Sequence, residues 1–416
     1  MIPFSPPRID QKIIDAVVDT LKSGWITTGP KTKLFEKRLS EYCGSKATLC
    51  LNSATAGLEL MLRWYGVKEG DEVILPAYTY SATANVIMHC GAKPVFVDIN
   101  DDFNISVDSI EKAITSKTKV IMPVDLGGMP CDYDAINALV QRDDVEKKFF
   151  GESPEQKMLG RILVLSDAAH SLGATYNGKK TGALTDITVF SFHAVKNLTT
   201  AEGGAVTMNL PAPFNNEELY QKLCVRILHG QNKDALAKMQ KGNWRYDIVE
   251  AGYKMNMTDI LAAIGLVELE RYDNDTLKKR KQICDKFSEA LSKHDWAIVP
   301  QFKIQNTKHE IQSCYHLYQF RIKGATEAQR DAIMQKIFDR DVSVNVHFIP
   351  VPMMSFYKSL GYDIKDYPRT YEMYSNEISL PVFYDMTEAQ AQQVVDAVTE
   401  SVEESLTPTP LQRRGA

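Results

Sequence analysis

Residues Thr188–Met208 read TVFSFHAVKNLTTAEGGAVTM. An apolar, β-branched run, Ile187–Phe192, gives way to a polar segment, and a second run, Ala205–Met208, follows Glu202-Gly203-Gly204. Both runs predict buried strands. Lys196 comes just past the first, five residues after Ser191. An unpaired ammonium buried at the end of a core strand costs several kcal/mol. Two readings stand. Lys196 is a loop lysine with its amine in water, or its amine is desolvated, neutral and used covalently, as in an imine to an aldehyde cofactor.

Outward from this stretch, the first 250 residues alternate apolar runs with helical patterns. The predicted strands are Glu72–Leu75, Pro94–Val97, Lys119–Val124 and Ile162–Leu165; the predicted helices include Ala56–Tyr65, Ala82–His89, Val107–Ala113 and Tyr133–Val140. Strands apolar on both faces, separated by helices, predict an α/β fold with a mostly parallel central sheet covered by helices. Ligands of such sheets bind at the carboxyl ends of the strands. The polar stretch Val140–Gly160 reads as an elaborated surface loop. A long helix is expected from Thr258 to about Lys281, with apolar Ile260, Ile264, Leu266, Val267 and Leu269. After it come sparser strands, His316–Ile322 and Val342–His347, with helices between. The expected organisation is a large α/β domain over 1–250, a smaller C-terminal α+β domain over 251–405 and a disordered tail over 406–416.

Three further stretches carry residue types that chemistry uses. In VLSDAAHSLGA, Val164–Ala174, Asp167 falls just past an apolar strand. It is a helix N-cap, or the anion that keeps a pyridinium nitrogen protonated so that the ring draws electrons from a substrate carbanion. His170 is a packed, hydrogen-bonded histidine or a contact to the cofactor ring or its hydroxyl. In LNSATAGLELML, Leu51–Leu62, a strand-like run, small residues and a helix start follow one another. This is ordinary capping, or a phosphate seat in which the Ala54 and Thr55 N–H groups, the Thr55 hydroxyl and Ser191 converge. In PAYTYSATAN, Pro76–Asn85, Tyr78 and Tyr80 alternate along an extended segment. They pack at the domain surface, or one stacks on a pyridine face.

Composition narrows the function classes. The chain has 416 residues, 44% hydrophobic and 24% charged, with a net charge of −5. It has no block of like charges, which argues against nucleic acid or a membrane surface as the main partner. The start, MIPFSPPRID, lacks the charge-then-apolar order of a signal peptide. Ile260–Leu269 is about half the length that spans a bilayer. Seven scattered cysteines without CxxC spacing read as reduced thiols in a cytoplasmic protein, with no metal site.

In their order and spacing these stretches resemble fold-type-I pyridoxal-phosphate (PLP) enzymes, and in detail the DegT/DnrJ/StrS family of sugar aminotransferases. The resemblance runs from about Ile2 to Val398. It is carried by GWITTGP (24–30), NSATAGL (52–58), YTYSATAN (78–85), KPVFVDI (93–99), SDAAHSLGA (166–174), SFHAVKNLTTAEGG (191–204), MTDILAAIGLVEL (257–269), VHFIP (346–350) and SLPVF (379–383). It implies that Lys196 forms the Schiff base with PLP and shuttles the proton, and that Asp167 pairs with the pyridinium nitrogen. His170 stands where the family has Gln or His near the cofactor hydroxyl. Ala54, Thr55 and Ser191 would hold the phosphate and Tyr80 would stack on the ring, while Thr28 and His347 lie in segments that border the sugar-nucleotide site.

Two segments depart from the family pattern. Where relatives commonly read Gly-Tyr-Asn-Tyr-Arg-Met, this chain has Gly252-Tyr253-Lys254-Met255-Asn256-Met257. Lys254 would then replace the Asn that reaches the neighbouring subunit's phosphate, which implies a homodimer with shared sites. Pro123-Val124-Asp125-Leu126-Gly127-Gly128 replaces a His-Leu-Tyr-Gly type segment. Lysine at 196, where some relatives carry histidine and dehydrate sugars, favours amino transfer. The expected reaction moves an amino group from an amino acid, L-glutamate by analogy, to a nucleotide-linked keto-deoxysugar for surface polysaccharide or amino-sugar biosynthesis. The alternatives are transamination of a small phosphorylated ketone, sugar dehydration, or a non-catalytic regulator that binds PLP or a sugar nucleotide.

Overall fold

Nine strands form in the first part of the chain: β1 (Ala47–Leu51), β2 (Glu72–Pro76), β3 (Lys93–Val97), β4 (Thr118–Ile121), β5 (Leu163–Asp167), β6 (Thr175–Tyr176), β7 (Lys179–Lys180), β8 (Ile187–Ser191) and β9 (Gly204–Met208). This computed structural model describes residues 1–233, 244–306 and 309–406. Seven of the strands make one sheet in the order β1-β9-β8-β5-β4-β2-β3. From β8 to β3 every neighbour is parallel, whereas β9 runs antiparallel to both β8 and β1. The predicted Lys119–Val124 strand keeps its ladder only to Ile121; Val124 then pairs singly with Asp167.

Successive side chains along each strand go to opposite cores, which is why the runs are apolar throughout. Val73, Leu75, Leu163, Leu165 and Val189 pack with Leu58, Met61 and Leu62 of helix α3; the first four helices are α1 (Gln11–Lys22), α2 (Pro30–Cys43), α3 (Ala54–Trp64) and α4 (Ser81–His89). Ile74, Ile121 and Val164 face Ile110, Ile136 and Leu139 on the other side. Phe190, Phe192 and Ala205 share that second face with Phe35 and Leu39 of α2 and with Met257, Ala262 and Tyr272. Apolar packing therefore carries the first core beyond residue 250.

The segment Val140–Gly160 is elaborated by helices. It holds two short helices, Asp143–Glu146 and Pro154–Leu159. The second is tied down because Gln156, 1% exposed, and Ser153 both donate to the Tyr65 carbonyl, at 3.0 and 2.9 Å. The helix expected over Thr258–Lys281 is longer than predicted. It runs Asp259–Arg271, passes through a π-turn at Tyr272–Thr276 and continues over Leu277–Leu291. The inserted residue lets the buried Tyr272 donate to the Leu172 carbonyl (2.9 Å) while Asp275 meets Arg8 (2.7 Å), a common use of π-turns.

The C-terminal strands are β10 (Ala297–Ile298), β11 (Lys303–Gln305), β12 (Glu310–Gln312), β13 (Tyr318–Ile322) and β14 (Glu377–Leu380). β10-β13-β14 is an antiparallel sheet, and β11-β12 joins β6-β7, linking the two parts of the chain. A second core gathers Ile283, Phe287, Phe320, Ile333, Ile378 and Val398, and Ile2 belongs to it. Val342–His347 is not a regular strand. Val342 pairs with Ile2 and Asn345 with Ser379, two partners in different places, so no ladder builds. The last helix, Glu388–Leu406, includes the first residue of the expected tail; the remainder, 407–416, lies outside the described residues. No helix among the described residues is long and apolar enough to cross a membrane.

Candidate active site

The carboxyl ends of β5 and β8, the start of β9 and the first turn of α3 enclose a cavity of ≈ 370 Å³. Ala54, Thr55, Tyr80, Asp167, His170, Ser191, Lys196 and His347 all line it. These residues span nearly three hundred positions of sequence, so the fold brings together most of what the motifs singled out.

Asp167 closes β5 and is 6% exposed. Its Oδ2 accepts the Thr83 hydroxyl at 2.8 Å and its Oδ1 the Ala169 N–H at 3.2 Å. Burial pushes this carboxyl above the usual range, against the pull of those two donors and of Lys196. Lys196 follows a turn closed by its own N–H on the His193 carbonyl (2.9 Å). Its amine has no hydrogen-bond partner among the described residues. Desolvation brings it down to about 8, with the Asp167 charge working the other way.

At the far end of the cavity, Ser53 caps α3 by accepting the Ala56 N–H (3.1 Å). The Ala54 and Thr55 N–H groups have no acceptor among the described residues. Capping and a free anion seat therefore coexist in one turn. Gly204 makes the approach possible: a Cβ there would lie 2.5 Å from the Ala54 nitrogen and 2.6 Å from the Ser53 carbonyl carbon. Ser191, at the end of β8, accepts the His193 N–H at 3.3 Å.

Of the two tyrosines, Tyr78 is buried against Phe103, while Tyr80 is 60% exposed and its ring lies 5.5 Å from that of Phe348. Three histidines form the wall near Lys196. His170 Nδ1 accepts the Gly127 N–H (3.3 Å), and its ring sits 4.3 Å from His316, whose Nδ1 meets the Asn197 amide oxygen (2.9 Å). His347 Nδ1 meets the Ser379 hydroxyl at 2.9 Å. Burial keeps all three neutral. It pushes His170 and His316 well below the ordinary imidazole range and His347 down to about 4, with Lys196 adding to the effect.

The departing segment Pro123–Gly128 supports this wall. Asp125, buried and pushed up to about 6 by desolvation, accepts the hydroxyls of Tyr133 and Ser171, both at 2.6 Å. Its N–H donates to the Asp167 carbonyl (3.1 Å). Gly127 and Gly128 have φ of 63° and 94°, and a Cβ on Gly128 would lie 2.7 Å from Cys314 Sγ. Only glycine fits both demands.

Two expected site residues are elsewhere. Thr28 does not line the cavity. Its hydroxyl donates to the Met257 carbonyl and accepts the Asn256 amide, at the edge of a separate depression with Lys33 and Glu36. It is held there because the next turn is clamped: Asp259 accepts the N–H groups of Gly29, Lys31 and Thr32 at 2.8–3.0 Å. Lys254 is exposed, is paired through its backbone with Leu228, and does not line the cavity either.

The sequence reading passed over Thr83, His316, Phe4 and Ser5. Thr83, in the first turn of α4, is four residues after Thr79, and the two hydroxyls bond at 2.9 Å. Phe4 stacks on His347 (5.2 Å, 23°), and Ser5 donates to the Val195 carbonyl (3.2 Å).

The parts suit pyridoxal phosphate: an anion seat, a buried carboxylate for a ring nitrogen and an unpartnered amine in one cavity. Comparison with known proteins agrees. The model of the DegT/DnrJ/EryC1/StrS aminotransferase family matches residues 7–147 and 157–399. Spore coat polysaccharide biosynthesis protein SpsC of Bacillus subtilis is 37% identical over 406 residues, 96% of this chain and 97% of its own. Spr1654 of Streptococcus pneumoniae, assigned as a sugar aminotransferase, is 46% identical in its PMP form, with a TM-score of 0.93 over 98% of this chain and 100% of that one. It has also been solved in a PLP form. Helicobacter pylori PseC, an aminotransferase involved in the biosynthesis of pseudoaminic acid, is 26% identical, with a TM-score of 0.83 over 97% and 99% of the two chains. The chain belongs to the DegT/DnrJ/EryC1/StrS aminotransferase family, and it is a PLP-dependent sugar aminotransferase.

Proposed function

We propose that the enzyme takes an amino group from L-glutamate and delivers it to the keto carbon of a nucleotide-linked deoxysugar, in the cytoplasm, for surface polysaccharide or amino-sugar biosynthesis. The observation that carries this reading is the unpartnered Lys196 amine, brought down to about 8, in one cavity with the buried Asp167 carboxylate. Bound PLP supplies the electron sink that lets a proton leave the amino-bearing carbon. Lys196 Nζ would hold the cofactor and, once the incoming amino group has displaced it, would be free to take that proton and return it on the other side of the exchange. Asp167 holds the proton on the ring nitrogen, and Thr83 keeps the carboxylate charged and aimed.

The Ala54 and Thr55 N–H groups and the Ser191 hydroxyl hold the phosphate, Tyr80 covers the ring, and His170 lies against its hydroxyl side. His347 borders the sugar. Among the described residues that line the cavity, Lys196 is the only lysine or arginine. No second lysine or arginine meets the phosphate charge among the described residues of one chain, which supports a homodimer in which Lys254 of the partner subunit approaches it. Thr28, outside the cavity of its own chain, fits the same arrangement. SpsC, by its name a polysaccharide biosynthesis protein, supports the direction of the pathway.

The test supplies PLP, glutamate and a panel of UDP- and dTDP-linked keto sugars, with products read by mass spectrometry. An aminated sugar nucleotide and parallel double-reciprocal lines are expected. Amination confined to small phosphorylated ketones, a dehydrated sugar product, or intersecting lines would overturn the reading.

A further inference from the structure

Behind the cavity wall lies a buried acid that the proposed chemistry does not use. Glu377 opens β14, is 0% exposed and reaches His347 in two ways. Its Oε2 accepts the His347 backbone N–H at 3.2 Å. Its Oε1 is 2.5 Å from the Ser379 hydroxyl, which is 2.9 Å from His347 Nδ1. His347 Nε2 has no partner among the described residues, and the ring lines the cavity under the stacked Phe4.

The hydroxyl of Ser379 has one proton and two short contacts, so it can donate along only one of them, and a relay in which it donates to one partner and accepts from the other uses both. If Glu377 is charged, protons point from His347 to Ser379 to Glu377, and Nε2 presents a bare lone pair to the cavity. If Glu377 is neutral, it donates to Ser379, Ser379 donates to Nδ1, and Nε2 carries the hydrogen. The surroundings favour the neutral acid. No cation pairs with the carboxyl among the described residues. Arg330 spends its guanidinium on the Tyr374 and Glu377 carbonyls (2.8 and 3.0 Å) and on Asp331 (2.6 Å). Arg321 and Arg330 act on Glu377 only through space, and burial outweighs them, holding the carboxyl up at about 8. The ring itself stays uncharged, so its tautomer is what remains to be fixed.

We propose that Glu377 is a positioning residue which, through Ser379, locks His347 in the Nε2–H form and so makes it a hydrogen-bond donor for the keto oxygen of the incoming sugar. A carbonyl oxygen has only lone pairs, and a bare Nε2 would repel it. The identity of that oxygen rests on the proposed transamination; the tautomer does not.

The experiment separates the two. Protein labelled with ¹⁵N-histidine is examined at pH 7 by long-range ¹H–¹⁵N correlation, with His347 assigned by its loss in His347→Gln. The wild type is expected to show a pyridine-type Nδ1 and a pyrrole-type Nε2. Glu377→Gln should keep that pattern: the side-chain oxygen must accept the His347 N–H, which leaves the amide to donate to Ser379. Ser379→Ala should abolish the preference. It should also raise KM for the keto sugar roughly five- to tenfold, the worth of one hydrogen bond, with the glutamate half-reaction unchanged. A pyrrole-type Nδ1 in the wild type, a reversed tautomer in Glu377→Gln, or an unaltered tautomer in Ser379→Ala would each overturn the proposal, whatever substrates the enzyme accepts. A locked tautomer with no change of sugar KM in Ser379→Ala would overturn the keto-oxygen assignment.

Discussion

Replacing Thr83 with valine removes two hydrogen bonds and almost no volume. The Thr83 hydroxyl is the only side-chain donor to the buried Asp167 carboxylate among the described residues, at 2.8 Å, and it accepts in turn from Thr79 at 2.9 Å. Its proton is committed to Asp167, so valine leaves Oδ2 without a protein donor and strands the Thr79 hydroxyl. Bonds to charged groups are worth roughly 1.5–3 kcal/mol. Asp167 is already pushed toward its neutral form by burial, and losing the donor pushes it further the same way. A neutral carboxyl is a poor partner for a pyridinium, so the cost falls on cofactor affinity. PLP should bind roughly ten- to a hundredfold more weakly at pH 7, as measured by equilibrium dialysis, while Thr83→Ser binds within about threefold of wild type. Affinity in Thr83→Val within twofold of wild type would show that Asp167 does not depend on this donor, and the assignment of Asp167 as the ring partner would lose its support.

The cavity lysine should be visible in the stability of the cofactor-free protein. Folded, Lys196 releases its proton near 8; unfolded, it does so near 10.5. Between these values the unfolded chain binds more protons, so stability rises with pH, and denaturant titrations should show a rise that Lys196→Met lacks. Gly204→Ala should cost about 1–3 kcal/mol by overpacking, because the new methyl meets backbone atoms of Ser53 and Ala54. It should also weaken inorganic phosphate binding measured by calorimetry. Asp259→Ala strips three backbone donors at the start of α2 and should lower stability by about 2 kcal/mol, read from the urea midpoint; an unchanged midpoint would mean the clamp carries no load.

How much of this was legible in the sequence depends on whether a residue breaks its local pattern. The strands could be read because side chains on both faces go into cores, giving runs such as Ile187–Phe192 with no polar alternation. Lys196 and Asp167 stood out because a charge at the end of such a run conflicts with burial. Thr83 did not, since a threonine in the first turn of a helix is ordinary there, and Asp167 lies 84 positions away. His316, Phe4 and Ser5 reach the cavity only through tertiary placement. The π-turn at Tyr272–Thr276 keeps helical periodicity on both sides and so hides in the pattern. Val342–His347 has strand-like composition but splits its two pairings between Ile2 and Ser379. Thr28 was drawn to the site by a motif, while its hydrogen bonds attach it to Asn256 and Met257.

The first residues of the chain run from the C-terminal core to the cavity wall. Ile2 is buried in the C-terminal core, Phe4 lies flat on His347, and Ser5 holds the carbonyl beside Lys196. None of the three carries a proton in the chemistry. Phe4 is therefore a position where the acceptor sugar's fit can drift, by a larger or smaller ring or an aliphatic side chain, while the acid–base groups and the anion seat stay as they are. Selectivity among sugars can evolve there independently of rate.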